Sequence, residues 1–421
     1  MSSETPLENQ QRPLTFFASA PKGVEDFLET EVLQYGEIER KSAGGIKFKA
    51  IPIKALEFLL RTRLASRVFL QLESYYIENE DDLYNRSVEK WWHQVFKLNQ
   101  TFKITTHVDG RSSQKFTNDL YLSRLLKDAI ADSFREEYDG QRPSVDTRSP
   151  DIILALRVEK SKKRPGYIAT ISLDLCGKPL SHRGYRESGH MAPLRENLAA
   201  AIAQIALNQS EITDRPLPTY DLMCGSGTLL LEMAMIQIGI APSYLNLQWS
   251  IKNRKRPFHF LHQIWFEHLK LSTMAFSLMN QIVEESVHNL RICEKWQPFI
   301  FGSDRDSEAL EQTQRGFETL CIPKNLYQLQ TKDLSETKKQ TKTGVILLNP
   351  PYGKRLEEIE QLAGTYQVIG DTLKNDYSDL TAYILTSEPS LSKEIGLKNS
   401  RKFPLYNGNL DCRLLEYKLY K

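Results

Sequence analysis

Apolar and polar positions recur along this chain with two periods, near two and near three to four residues, and the period changes every few residues. Up to residue 72 the pattern predicts strands over 15–18, 37–41, 45–49 and 66–72, with helices over 22–35 and 53–60. Strand, helix, strand, strand, helix, strand is the order of a ferredoxin-like half-domain. A helix over 81–96 carrying Trp91 and Trp92 follows, then a strand over 102–108 and a longer helix over 123–135. Strands near 151–159 and 167–175 complete this half. Taken alone, these elements imply a mixed α/β region of small elements.

Residues 178–195 are rich in Gly, Pro, Arg and His and read as a linker. A helix over 196–208 then leads to a short strand over 217–222 and a helix from 229 onward. Apolar runs at 298–300, 327–330 and 345–348 read as further strands, which makes the second half an α/β domain. Residues 241–296 interrupt it as a predicted helical hairpin, helical from 262 to about 293. Near the end, 401–406 and 413–420 flank Asn407-Gly408, a pair that suits a tight hairpin.

The candidate chemistry collects at strand ends. Asn349-Pro350-Pro351-Tyr352 follows the run Val345-Ile346-Leu347-Leu348, and the two prolines forbid further pairing and hold the backbone extended. Loops at the carboxyl ends of such strands bind ligands in open α/β sheets. There the Asn349 side-chain carbonyl and the Pro350 backbone carbonyl suit an exocyclic amine, and Tyr352 offers a flat face for a base. Together they suit methyl transfer to the amino group of a purine.

Upstream, Asp221-Leu222-Met223-Cys224-Gly225-Ser226-Gly227-Thr228 lies between a strand and a helix. Glycine permits positive φ and close approach of a ligand, and the helix N-terminus suits a carboxylate. Leu230 stands where a dinucleotide fingerprint needs a third glycine, and no Gly-Lys-Ser/Thr of a P-loop is present. Asp221, Cys224, Gly225, Ser226 and Gly227 are therefore candidate cofactor residues. Asp304, with Arg305 beside it, leaves the next strand, where an acid can take both hydroxyls of a ribose. Asp306 is better placed to cap the helix that begins near Ser307. Asp333-Leu334 either flanks an adenine amine or is a solvated loop.

Composition limits the partners. The 421 residues carry a net charge of +2 with 26% charged residues, so nucleic-acid affinity must come from local patches. Candidates are Lys162-Lys163-Arg164 and Arg254-Lys255-Arg256, the second followed by Phe258 and Phe260. The linker adds Arg183-Gly184-Tyr185-Arg186, two cations and an aromatic apt for phosphate or base contact; Tyr185 equally suits packing over the cofactor site. Five cysteines without C-x-x-C spacing and eight histidines without H-E-x-x-H argue against a metal site and a disulfide framework. Cys224 has no nearby base in sequence and reads as a packing residue. Residues 1–13 are polar and read as a disordered tail without a signal peptide. No apolar run reaches the ~18–20 residues of a membrane span, so a cytoplasmic, non-membrane protein is expected.

Motif order and wording resemble the class I S-adenosylmethionine-dependent methyltransferases, and within them the RlmL group of bacterial 23S rRNA guanine-N2-methyltransferases. The carriers include Phe17-Ala18-Ser19-Ala20, Arg63-Leu64-Ala65-Ser66-Arg67, Arg183-Gly184-Tyr185-Arg186 and Ala192-Pro193-Leu194-Arg195-Glu196-Asn197, besides the loops above. The resemblance covers the chain from about Leu14 to its end. It implies a ferredoxin-like subdomain over 14–75, a THUMP RNA-binding domain over 76–177, and a class I (Rossmann-like) methyltransferase domain over 196–421. It further implies S-adenosylmethionine as methyl donor without a metal, and RNA as partner, either 23S rRNA or a large-subunit assembly intermediate. Leu222 replaces the proline usual in the family's glycine motif, which removes no ligand group. The second methyltransferase domain of the best-known member is missing, so guanine-N2 transfer alone is expected. Rival readings are a tRNA guanine-N2 methyltransferase, an adenine-N6 methyltransferase on RNA or DNA, and a non-catalytic ribosome-assembly factor. The last would predict a broken cofactor loop, whereas Asp221, Gly225, Gly227, Asp304 and Asn349 are all in place.

Overall fold

The computed structural model describes residues 10–420 other than 91, 111, 113–114, 187–193, 211–215, 255–256 and 352–355; the side chains of 356–359 also lie outside the description. The chain opens with β1 (Leu14–Ser19), α1 (Glu25–Val32), β2 (Glu37–Ser42), β3 (Gly45–Ala50), α2 (Pro52–Arg61) and β4 (Arg67–Ile77), in the predicted order. Pro52 begins α2, where its missing N–H has no helical partner to lose. Then come α3 (Glu80–Val88), β5 (Phe102–Val108), α4 (Asp119–Glu137), β6 (Ile152–Lys160) and β7 (Tyr167–Asp174).

These seven strands make one sheet in the order β2-β3-β1-β4-β7-β6-β5. The joint is β4, which pairs antiparallel with β1 through Arg67–Leu70 and with β7 as far as Ile77. Its predicted end at residue 72 falls short by five residues, because Glu73 and Ser74 look like a strand end in sequence but still pair with β7. The predicted helix over 81–96 is also shorter. It stops at Val88, and a single 3-10 turn (Trp92–Gln94) follows, with Trp92 buried and its indole N–H donating to the Ser87 carbonyl at 2.8 Å.

The second half comprises α5 (Glu196–Gln209), β8 (Thr219–Asp221), α6 (Thr228–Ile238), α7 (Tyr244–Asn253), α8 (Ile264–His268) and α9 (Ser272–Cys293). After these come β9 (Ile300–Asp304), α10 (Ser307–Thr319), β10 (Tyr327–Thr331), β11 (Val345–Leu348), α11 (Leu356–Asp376) and β12 (Thr381–Thr386), then α12 (Pro389–Glu394), β13 (Arg401–Asn407) and β14 (Leu410–Lys418). Their sheet runs β10-β9-β8-β11-β12-β14-β13, parallel from β10 to β12 and antiparallel at β14 and β13. Alternate residues of β11 serve opposite faces: Val345 and Leu347 join the main core, Ile346 and Leu348 a second cluster with Tyr366 and Ile369 of α11. Burial on both faces is why β11 reads as an unbroken apolar run.

The insertion is not a two-helix hairpin. It has α7, α8 and α9, with Lys270 in the left-handed region (φ +49°) between α8 and α9. It fastens the two halves together: Ser243 Oγ donates to the Leu60 carbonyl (2.6 Å), Gln263 Nε2 to the Asp174 carbonyl (2.8 Å), and Phe260 N–H to the Leu175 carbonyl (3.1 Å). One apolar cluster runs from Leu14 of β1 to Leu414 of β14. Among the described residues no helix is long and apolar enough to cross a membrane.

Candidate active site

Because β8, β9, β10 and β11 are adjacent and parallel, Asp221, Asp304, Asp333 and Asn349 leave the sheet at one edge. The chain steps outward from β8 to β9 and β10 on one side and returns to β11 on the other. That reversal opens a crevice at the carboxyl ends of β8 and β11, where ligands of open α/β sheets bind.

The loop after β8 is held open by its glycines. Gly225 (φ +51°) and Gly227 (φ +73°) both adopt the left-handed region. A Cβ at Gly225 would meet no atom within 4 Å, so the backbone there faces open space; one at Gly227 would lie 2.5 Å from Thr313 Cγ2. The loop is bonded from two sides: Cys224 N–H donates to the Ser303 carbonyl (3.0 Å), and Thr313 Oγ1 on α10 to the Gly225 carbonyl (2.7 Å). Ser226 is half-buried beside them. Thr313 was invisible to sequence reasoning, since it lies one helix away and carries no motif. Burial pushes the Cys224 thiol well above its usual range, which fits a packing residue.

Acidic groups line the same edge. Asp221 is buried, accepts the Met223 N–H at 3.1 Å, and is held well above the usual carboxylate range by burial and by Asp304. Asp304 accepts the Gly225 N–H (2.8 Å) on one oxygen and the Asp306 N–H (3.0 Å) on the other, which leaves lone pairs on both for ribose hydroxyls. Arg305 is exposed, and Asp306 caps α10 through the Glu308 and Ala309 amides. Asp333 caps a 3-10 turn through the Ser335 amide and hydroxyl, which lowers its pKa, and Leu334 is buried. Asn349 is half-buried, and its Oδ1 is buried with no hydrogen-bond partner among the described residues. Pro350 is buried and Pro351 exposed. Tyr352 lies outside the described residues.

The linker residues need correction. Arg183 and Tyr185 are not free for RNA: both are buried, and Arg183 Nε and Tyr185 OH donate to Glu232 Oε1 of α6 at 3.3 and 3.0 Å. Arg183 further donates to the carbonyls of Leu180 (2.7 Å) and Arg63 (2.5 Å). A charge so placed keeps a counter-ion instead of seeking phosphate. Tyr185 thus packs against α6, the helix that follows the glycine loop. Glu232 went unnoticed in the sequence; the available signal was a lone acid inside the apolar run Leu229–Ala234. Arg186 is also largely buried, bonded to Thr228 Oγ1 and paired with Glu196 at 3.3 Å. Lys162, Lys163 and Arg164 are exposed on the turn joining β6 to β7, with Arg164 stacked on the Tyr76 ring (3.5 Å). Arg254 is exposed after α7; Lys255 and Arg256 lie outside the described residues.

With this geometry in view, comparison with known proteins is decisive at one point. A family model described as "RMKL-like, methyltransferase domain" matches residues 183–416, over half of the chain. The chain belongs to the RMKL-like methyltransferase family. Models of the THUMP domain and of the RlmL ferredoxin-like domain match 78–164 and 15–69. A "Ribosomal RNA large subunit methyltransferase K/L" of Syntrophotalea carbinolica is 33% identical over 410 residues, 96% of this chain and 53% of that protein. The chain thus spans about half the length of the curated relatives it matches. A solved structure of a possible methylase from Clostridium difficile is 25% identical with TM-score 0.75, covering 97% of this chain and 99% of that one. Another, complexed with S-adenosylhomocysteine, shares the fold at 23% identity and TM-score 0.77, with coverage of 97% and 99%. S-adenosylmethionine is the cofactor of this RMKL-like domain, and the open Gly225 backbone and the Asp304 carboxylate fit it.

Proposed function

We propose that the chain transfers a methyl group to N2 of a guanosine in 23S rRNA, with residues 14–75 and 76–177 binding the RNA and 196–421 carrying the chemistry. S-adenosylmethionine supplies a methyl on a sulfonium, electrophilic enough for an amine to accept it without further activation. The protein's task is then positioning, which is worth roughly 7–11 kcal/mol of a barrier. Asn349 Oδ1 and the Pro350 carbonyl accept the two amine hydrogens, which turns the nitrogen lone pair away from the ring. As the N–C bond forms and the C–S bond breaks, the amine gives up one proton to water. Tyr352 stacks the extruded base, worth ~1–3 kcal/mol. Asp304 takes the ribose of the cofactor, Asp221 and the Gly225–Gly227 loop border its sulfur, and Asp333 with Leu334 flanks its adenine. Lys162, Lys163 and the 254–256 patch contact RNA phosphates.

The observation that carries this reading is the Asn349 oxygen, buried at the end of β11 and unpartnered among the described residues. Buried acceptors without partners are rare, and an amine donor would supply what this one lacks. The test is nucleoside mass spectrometry on 23S rRNA, tRNA and DNA incubated with protein and S-adenosylmethionine, for wild type and Asn349→Ala. N2-methylguanosine in 23S rRNA is expected, and loss of turnover in the variant with S-adenosylhomocysteine affinity within a few-fold of wild type. Turnover in the variant within a few-fold of wild type would remove Asn349 from the mechanism. N6-methyladenine would move the assignment to the other purine amine, and label in tRNA alone would discard the ribosomal substrate.

A further inference from the structure

The loop and acids above account for the adenosine and sulfur of the cofactor, but its zwitterionic amino-acid end needs a matched anion and cation. We infer that Arg186 and Glu196 are that match, the guanidinium taking the α-carboxylate and the glutamate the α-ammonium. The inference rests on the reading that the Gly225–Gly227 loop holds S-adenosylmethionine.

Three observations carry it. First, place: Arg186 bonds the hydroxyl of Thr228, the residue that follows Gly227 and begins α6. Glu196 begins α5, so the pair bridges the starts of the two helices that flank β8. Second, spare capacity: Arg186 Nε is buried and has no hydrogen-bond partner among the described residues, and the guanidinium's contact to Glu196 is a long 3.3 Å. A guanidinium presents five donors, and a carboxylate arriving from the loop would engage the unused edge in a forked, charge-assisted pair. Third, shielding: the two side chains are only 17% and 12% exposed, so an ion pair formed there is less screened than one on the surface.

The neighbouring arginine makes the contrast. Arg183, three residues earlier, is saturated by Glu232 and two backbone carbonyls and has a structural explanation. Arg186 does not. Glu196 is consistent with a waiting role: burial raises its pKa and Arg186 only partly offsets this, so a second cation beside it is favourable.

The experiment is calorimetric titration of the full chain with S-adenosylhomocysteine, its decarboxylated analogue and 5′-methylthioadenosine, which lacks the amino-acid end. Wild type is expected to bind S-adenosylhomocysteine at least about tenfold more tightly than the decarboxylated analogue, since a charge-assisted pair is lost. Arg186→Gln should bring that ratio close to one and leave 5′-methylthioadenosine affinity unchanged; Arg186→Lys should retain part of the ratio. A wild-type ratio near one overturns the inference without any variant. So does a ratio preserved in Arg186→Gln, or an equal loss for all three ligands, which would mark Arg186 as a scaffold residue. Failure of wild type to bind any of the three would overturn the cofactor reading itself, and the inference with it.

Discussion

Glu232 offers the sharpest test of how the two halves are held together. It is fully buried on the second turn of α6, and its Oε1 is shared by Arg183 and Tyr185. Arg63 lies close enough for Glu232 to support its charge, although burial still lowers its pKa to about 10. Glu232→Ala would therefore strand the Arg183 charge, withdraw support from Arg63 and leave a buried phenol unpaired. Removing one partner of a buried ion pair costs about 3–5 kcal/mol. With an unfolding entropy of roughly 2.1 cal/mol/K per residue over 421 residues, about 0.9 kcal/mol/K, this corresponds to a Tm lower by about 3–6 °C if the chain unfolds as one unit.

Scanning calorimetry on Glu232→Ala and on the double variant Arg183→Met/Glu232→Leu separates charge from shape. The single variant should show the full loss, and the double variant should recover most of it, because apolar groups of similar volume replace a buried pair at little cost. A single variant that melts within about 1 °C of wild type would refute the reasoning, since the Arg183 charge would then have an adequate partner elsewhere.

The two loop glycines should separate folding from binding. Gly225→Ala accepts a left-handed φ at about 1–2 kcal/mol with no clash, so it should fold yet lose S-adenosylhomocysteine affinity in calorimetry; Gly227→Ala adds the overlap with Thr313 and should lower Tm further. His259 packs over Gly177, and burial holds its pKa below the usual value, against Asp174 and Asp151 which raise it and Arg67 and His262 which lower it. Its folded pKa is depressed, so its contribution is present above pH ~6.5 and is lost as the pH falls through the folded value. Thermal melts between pH 7.5 and 5 should show a smaller acid-side fall for His259→Gln than for wild type, and equal slopes would discard the assignment.

Much of the frame is legible because local pattern and tertiary role agree. The run Val345–Leu348 announces a doubly covered strand, the glycines of 225 and 227 announce a turn, and Asp306 announces a helix cap; each does what its neighbours in sequence require. The misreadings share one cause, which is that the deciding partner is distant. Arg183 looks like a surface cation until Glu232, 49 positions away, is brought against it. β4 looks short until β7 pairs with its polar end. The insertion looks like an appendage because nothing in its own sequence reveals that Ser243, Phe260 and Gln263 bond to Leu60, Leu175 and Asp174.

Those distant partners change what residues 178–186 are. Gly, Pro, Arg and His in series suggest a tether, and a tether would let an RNA-binding region swing relative to the catalytic edge. Here the segment is pinned: Leu180 N–H donates to the Ser66 carbonyl, Arg183 reaches Arg63 and Glu232, and Arg186 reaches Thr228 and Glu196. Around it, Asn197 Nδ2 donates to Ser66 Oγ, Arg61 pairs with Glu285, and the Tyr406 amide on the edge strand β13 donates to the Lys22 carbonyl. These contacts approach the joint from α5, α9 and β13, so opening it in any direction breaks hydrogen bonds or an ion pair. On the proposed function, the RNA-binding region then acts as a fixed ruler. A substrate qualifies when its phosphates reach the exposed cations near Lys162 while one of its purines reaches Asn349, and that distance is set by the fold before any RNA arrives.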